Sequence, residues 1–307
     1  MTKRNLIGML IVLGTIRIAT ATSYKIPFRL VKNLIVVQAT VEKRSGNFII
    51  DTGLSELILN STYLPTYRHS NGGGQVQSMH GEMQYDHGNH VRLQLGELSV
   101  RTYAAVVDLQ PIEKKKRLNI LGMIGIRVFS RYEIMIDNFA QQIILYELDE
   151  HGNRLQDQPL PIPTVTFDLH YKRHLSCIKI WIGDLELHMG LDTGVETNVF
   201  SLKTYENIKD YTVDPDQKTM IDLSGNTIQV LSAKVKNMRI DHLLLPPMES
   251  IFVPPALSKK SLGANLDGLL GQAFLRNFQV AFNFKKKEFC LWNEETTNQG
   301  PLVKNKN

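Results

Sequence analysis

Two Asp-Thr-Gly triplets, Asp51-Thr52-Gly53 and Asp192-Thr193-Gly194, hold the residue types from which a hydrolytic centre could be built. Each follows an apolar stretch, Phe48-Ile49-Ile50 in one copy and Leu191 in the other, that reads as a strand ending at the carboxylate. Threonine can turn its hydroxyl into a hydrogen bond with backbone across a symmetry axis. Glycine permits a positive φ or a close approach at the turn. If the two segments pack about a pseudo-twofold axis, Asp51 and Asp192 meet face to face. Two carboxylates about 3 Å apart cannot both ionise, so they share a proton. The charged member then activates a water as general base, while the protonated member polarises a carbonyl. That pairing suits hydrolysis of an amide by direct attack of water, without a covalent enzyme intermediate.

The segments that must bring the triplets together are themselves repeated. The triplets lie 141 residues apart (192 − 51). At that offset, Leu-Ile-Val-Val-Gln-Ala-Thr-Val at 34–41 overlies Leu-Ser-Cys-Ile-Lys-Ile-Trp-Ile at 175–182, and both read as strands. Gly122-Met123-Ile124-Gly125 matches Gly268-Leu269-Leu270-Gly271 at an offset of 146 (268 − 122). Phe129, Tyr132, Ile134 and Ile136 then face Leu275, Phe278, Val280 and Phe282, Asp137 faces Asn283, and Leu145-Tyr146 faces Leu291-Trp292. The change of offset places a small insertion between the triplet and the glycine motif of the second unit. Each unit reads as short strands with frequent turn signals, plus one short helix after the second glycine, over 126–131 and 272–277. The expected fold is all-β: two pseudo-twofold-related, β-barrel-like lobes with one short helix each. The expected order is a leader over 1–21, a first lobe over 22–150, a polar, proline-rich connector over 151–165, a second lobe over 166–293 and a frayed tail over 294–307.

On these motifs the chain resembles the retropepsin-like aspartic proteases, with two retropepsin-type units fused in a pepsin-like bilobal arrangement. The family pattern is an apolar strand, Asp-Thr-Gly, a glycine-bearing flap hairpin, two hydrophobics and Gly, a short helix and a final strand. Both units show it, from Asp51 to Met123-Ile124-Gly125 and from Asp192 to Leu269-Leu270-Gly271. The resemblance implies that Asp51 and Asp192 form a catalytic dyad, with Thr52 and Thr193 interlocked beneath it and Gly53 and Gly194 in support. It makes Gly125 and Gly271 structural glycines. It also implies two flaps, Met79-His80-Gly81-Glu82 and Leu223-Ser224-Gly225-Asn226, whose Gly81 and Gly225 sit at hairpin tips over an extended peptide. The implied function is an endopeptidase acting on peptide or protein substrates, needing no cofactor and no metal. It is expected to be monomeric, because both half-sites lie in one chain.

The chain departs from the family at the residue after each triplet. Ala or Ser is usual there; Leu54 and Val195 stand here. In pepsin-like relatives a Ser at this place helps hold the outer carboxylate oxygen, and the larger side chains are expected to crowd the cleft floor. A second reading follows: a catalytically silent peptide-binding protein of the same fold, against which the intact second triplet argues. No tyrosine holds a clear flap position, Tyr85 being the nearest, and the few residues between Ala21 and the strand around Ile26 leave no room for a pepsin-style pro-segment.

Lys and Arg number 35 against 30 Asp and Glu, but Lys3, Arg4 and Arg17 fall in 1–21 with no acid. Outside that stretch the balance is nearly even, so a nucleic-acid partner loses its compositional support. A basic start, the apolar run from Leu6 to Ile16 and Ala19-Thr20-Ala21 have the form of a secretory signal peptide, predicting export to the periplasm or outside the cell. The run is too short for a stable membrane span. Two cysteines exclude a disulfide framework; Cys177 and Cys290 replace Val36 and Ile144 of the first unit, so buried thiols are expected, with a disulfide as the alternative. His80, Asp86, His87 and His90 match no zinc spacing, and Gly72-Gly73-Gly74 lacks the Gly-Lys-Ser/Thr of a phosphate loop. Two basic runs, Lys114–Arg117 and Lys285–Lys287, remain, the second reading as a solvated hairpin tip. Asn60-Ser61-Thr62 is a glycosylation sequon.

Overall fold

Alternation of inward apolar and outward polar residues sets the first strand. In β1 (Ser23–Val31), Ile26 and Phe28 are buried while Lys25, Pro27 and Arg29 face water. The structure, a computed structural model, describes residues 23–64, 73–78, 81–155, 160–172, 175–221, 227–254 and 266–294. The stretch 1–22 expected to be a leader, the residues beyond Glu294, and 79–80 and 222–226, where the flap tips are expected, lie outside that set.

In β2 (Leu34–Val41) and at the end of β3 (Arg44–Ile50) nearly every residue is buried, as expected of strands covered on both faces. β4 (Leu57–Asn60), β5 (Gly73–Ser78), β6 (Gly81–Leu95), β7 (Leu98–Val107) and β8 (Gly122–Ile124) follow. The ring β2-β3-β8-β4-β7-β6 closes where Thr40 and Val41 pair with Gln94 and Leu93, making a six-stranded barrel. β9 (Tyr132–Asp137) and β10 (Gln142–Glu147) leave the barrel for a sheet shared with the second half.

The second half contains β11 (Val165–Asp168), β12 (His170–Lys172), β13 (Leu175–Ile182), β14 (Leu185–Leu191), β15 (Asn198–Ser201), β16 (Thr212–Ile221) and β17 (Thr227–Val235). It continues through β18 (Met238–Ile240), β19 (Leu243–Leu244), β20 (Met248–Val253), β21 (Gly268–Leu270), β22 (Gln279–Asn283) and β23 (Glu288–Trp292). Its pairings repeat those of the first half residue for residue. Gln38 opposite Asn47 in β2–β3 becomes Lys179 opposite His188 in β13–β14, both at the offset of 141. Ile58 opposite Met123 becomes Val199 opposite Leu269, at offsets of 141 and 146. Val41 opposite Leu93 becomes Ile182 opposite Met238, so the offset has reached 145 there (238 − 93). Four of the five extra residues therefore fall between β15 and β18, and the fifth lies between β18 and β20. Two differences are visible in the ladder: the counterpart of β6 is split into β17 and β18 at Asn237, whose φ is 56°, and that of β7 into β19 and β20.

Between the halves runs a six-stranded sheet, β11-β23-β22-β9-β10-β1. At its centre β9 and β22 pair antiparallel, with Met135 opposite Ala281, its own counterpart at the offset of 146 (281 − 135). A local twofold therefore passes through this pair. The all-β bilobal architecture is as the repeats imply.

The expectation of one short helix per lobe is too few. The anticipated ones appear as a 3₁₀ turn at Ile126–Phe129 and a helical turn at Gln272–Leu275. Two further helices, α1 (Gln110–Lys116) and α2 (Leu202–Ile208), are present. Tertiary contacts rather than propensity hold α1: Ile112 is buried, and Glu113 Oε1 accepts hydrogen bonds from Tyr63 Oη and Ile120 N, both at 2.7 Å. Ser201 caps α2 by accepting from Thr204 N at 3.0 Å.

Lys285–Lys287 does lie in an exposed turn, and Lys287 and its counterpart Gln141 share a positive φ of 57° and 52°. Both cysteines are free thiols, so the disulfide alternative falls: Cys177 is buried, and Cys290 contacts Thr166 Oγ1 at 3.6 Å. The sequon residue Asn60 is fully buried, its Nδ2 donating to Ile120 O at 2.9 Å, which leaves no room for a glycan. Among the described residues, no helix is long and apolar enough to cross a membrane.

Candidate active site

Parallel pairing delivers each triplet to the same place. β3 runs beside β8 with Ile50 opposite Ile124, and β14 beside β21 with Leu191 opposite Leu270. The next backbone group along each strand is then fixed: Asp51 N donates to Ile124 O at 3.0 Å, and Asp192 N to Leu270 O at 3.1 Å. Gly125 and Gly271, which end β8 and β21, pack so tightly that an added Cβ would lie 2.5 Å from Glu56 O and 2.4 Å from Thr197 O. The glycine motif is thus the seat on which each aspartate strand rests.

Beneath the carboxyls the two threonines cross. Thr52 N donates to Thr193 Oγ1 and Thr193 N to Thr52 Oγ1, both at 3.0 Å. Each hydroxyl passes its own proton to the opposite strand, Thr52 Oγ1 to Leu191 O at 3.2 Å and Thr193 Oγ1 to Ile50 O at 2.9 Å. Four buried backbone groups are satisfied only by the other half of the chain, so the halves are locked at this point.

Above the threonines, Asp51 and Asp192 are 6% and 5% exposed, and their carboxyls hydrogen-bond to one another. Asp51 Oδ1 accepts from Gly53 N and Asp192 Oδ1 from Gly194 N, both at 2.8 Å. A Cβ on Gly53 would stand 2.4 Å from Asp192 Oδ2, and one on Gly194 would stand 2.4 Å from Asp51 Oδ2. These glycines therefore leave the space in which the carboxyls meet. Burial, then the charge of Asp192, then the hydrogen bond between them push the Asp51 pKa well above the usual carboxylate range. Hydrogen bonds from the Gly53 and Leu54 amides oppose this more weakly. Asp51 therefore keeps its proton to higher pH than an isolated carboxyl does.

Leu54 and Val195 do not crowd the floor. Leu54 packs with Ile49, Ile58 and Met123 on one side of the first lobe, and Val195 with Val199, Val230 and Leu269 in the second. Their backbones continue the symmetry: Ile126 N donates to Leu54 O at 3.0 Å and Gln272 N to Val195 O at 2.8 Å.

Gly81 opens β6 opposite Ser78, so the expected hairpin flanks the tip, and β16 and β17 pair as far as Ile221 opposite Thr227. Met79-His80 and Gly225 lie outside the described residues. Tyr85 pairs with Gly74 on the same hairpin. Among the described residues, no group of three or more His, Cys, Asp or Glu is placed to hold a metal ion.

Sequence reasoning missed one feature of the site. Glu196, four residues after Asp192, forms an ion pair with Lys116 of α1 across the halves. Its signal was available, since Ser55 fills the corresponding place in the first unit (196 − 141). Lys116, by contrast, appeared only as one lysine of a basic run. No protein-family model matches the chain, and no curated protein matches it.

Proposed function

We propose that the chain is an aspartic endopeptidase of the retropepsin-like class, built of two such units fused in one polypeptide. The observation that carries this reading is the meeting of the Asp51 and Asp192 carboxyls above the crossed threonines, in the space that Gly53 and Gly194 leave open. An ionised carboxylate takes a proton from water as the oxygen attacks the peptide carbonyl, while the protonated partner donates to the carbonyl oxygen. A tetrahedral diol results. Return of a proton to the amide nitrogen then breaks the C–N bond and releases acid and amine.

Because the two groups titrate as a pair, activity needs exactly one proton between them, and the rate should follow a bell in pH. The flap hairpins cover an extended peptide and exclude water. Both carboxylates come from one chain, which supports a monomeric enzyme without a cofactor. The leader-like 1–21 supports export. The second reading, a silent peptide-binding protein, rests on Leu54 and Val195; their packing away from the floor leaves only the absent serine hydroxyl in its favour. The test is hydrolysis of a mixed peptide library over roughly pH 3 to 7, with and without a statine-type inhibitor. Inhibitable cleavage is expected, and binding without turnover across that range would overturn the assignment.

A further inference from the structure

The Lys116–Glu196 ion pair lies close to the dyad. Lys116 lines a small cavity together with Gly194, the residue whose added Cβ would meet the Asp51 carboxylate. Other cations gather round it from both halves. Lys115 precedes it, Lys32 donates from Nζ to Lys115 O at 2.8 Å, and Arg276 donates to Asn33 Oδ1, beside Lys32, at 3.4 Å. Lys32, Lys115 and Arg276 are exposed. Glu113 of the same helix is engaged by Tyr63 and Ile120, and Glu196 pairs with Lys116.

The excess charge is felt at the buried member. Burial, then the charges of Lys115 and Lys32, push the Lys116 ammonium down to about 8, even with Glu196 beside it.

We propose that Lys32, Lys115 and Arg276, backed by the Lys116–Glu196 pair, bind an acidic segment of the peptide substrate flanking the bond to be cut. The enzyme thereby selects substrates with Asp or Glu beside the bond to be cut. The patch is compact and adjoins the dyad, which suits a few carboxylates of a peptide better than the extended phosphate track of a nucleic acid. This inference rests on the endopeptidase reading for its substrate, and its test does not require turnover.

Fluorescein-labelled hexaglutamate and hexaglutamine are titrated into the full chain carrying Asp51→Asn, at about 0.15 M salt. Hexaglutamate should bind about tenfold more tightly, and Lys32→Glu with Lys115→Glu should erase that preference. Lys32→Gln with Lys115→Gln serves if the reversal fails to fold. Equal binding of the two peptides, or an unchanged preference in the variant, overturns the proposal. So does displacement of hexaglutamate by oligothymidylate or phosphatidylserine vesicles at lower concentration than by unlabelled hexaglutamate. Acidic preference in binding, with no peptide cleaved by the unsubstituted chain, would uphold the patch and sink the endopeptidase reading instead.

Discussion

In the first half of the molecule, Arg29 and Gln38 both donate to Asn47 Oδ1, at 2.8 and 2.6 Å, and Asn47 Nδ2 donates to Asn119 O. At the same positions of the second half, His170, Lys179 and His188 line a cavity of about 410 Å³. A few residues away the halves make the same bonds: Gly53 and Gly194 each donate at 2.8 Å, the threonine amides each donate at 3.0 Å, and the threonine hydroxyls donate at 3.2 and 2.9 Å. The difference teaches where the two halves constrain each other. At the twofold, a change in one copy removes a partner from the other, so both must keep the same groups. Away from it each half satisfies itself, and sealed network, open cavity, continuous strand or broken strand all become admissible.

The sharpest way to break this comparison is at the carboxyls. Asp51→Asn and Asp192→Asn should each lower kcat/KM for peptide hydrolysis by about 10³-fold or more, and by similar factors. If one of them leaves activity within tenfold of the parent, the equivalence fails and a single carboxylate carries the chemistry. Next come Thr52→Val and Thr193→Val. Each strips a partner from one buried amide of the opposite half and from one carbonyl, and each should cost about 2–4 kcal/mol in urea unfolding.

A smaller effect follows from the raised Asp51 pKa. The folded state holds a proton that the unfolded chain releases near the ordinary value of 3.8. This contribution to stability is therefore full below that pH and lost as the pH rises through the elevated folded value. Thermal midpoints measured against pH should show that decline, and Asp51→Asn should flatten it. A profile whose slope is unaltered by the substitution would contradict the shared proton. Smallest is the test of the periphery: Asn237→Val forces a β-branched residue into positive φ and should cost about 1–2 kcal/mol. Arg92→Val at the corresponding place in β6 (237 − 145) should stay within about 0.5 kcal/mol.

The sequence made the centre legible because its constraints are local. Asp-Thr-Gly after an apolar strand, and a hydrophobic pair between glycines, require particular residues at particular steps, so two copies could be aligned before any packing was known. The buried thiol of Cys177 was equally readable, since it replaced an aliphatic residue in a repeated strand. What escaped depends on contacts far apart in the chain. The seven residues of α1 include Pro111 and three consecutive lysines, and nothing in that string announces a helix until Glu113 finds Tyr63 and Ile120. Asn237 gives no warning that it ends a strand which its counterpart Arg92 continues. Lys116 and Glu196, 80 residues apart (196 − 116), come together only because the lobes do. The burial of Leu54 and Val195 was misjudged for a similar reason: size was visible, direction was not.

The pairing of β9 with β22 has a consequence for how the chain is made. Asp137 is opposite Gln279, so 142 residues (279 − 137) must leave the ribosome before the last position of β9 can meet its partner. At about 5–20 residues per second that interval lasts roughly 7–30 s. Throughout it, a complete first barrel carries an unpaired strand edge built from Ile134, Met135, Ile136 and Asp137, the kind of edge that templates association with other chains. The waiting time before the second half arrives is thus set by chain length alone, and the nascent first half is the stage of synthesis most exposed to mispairing.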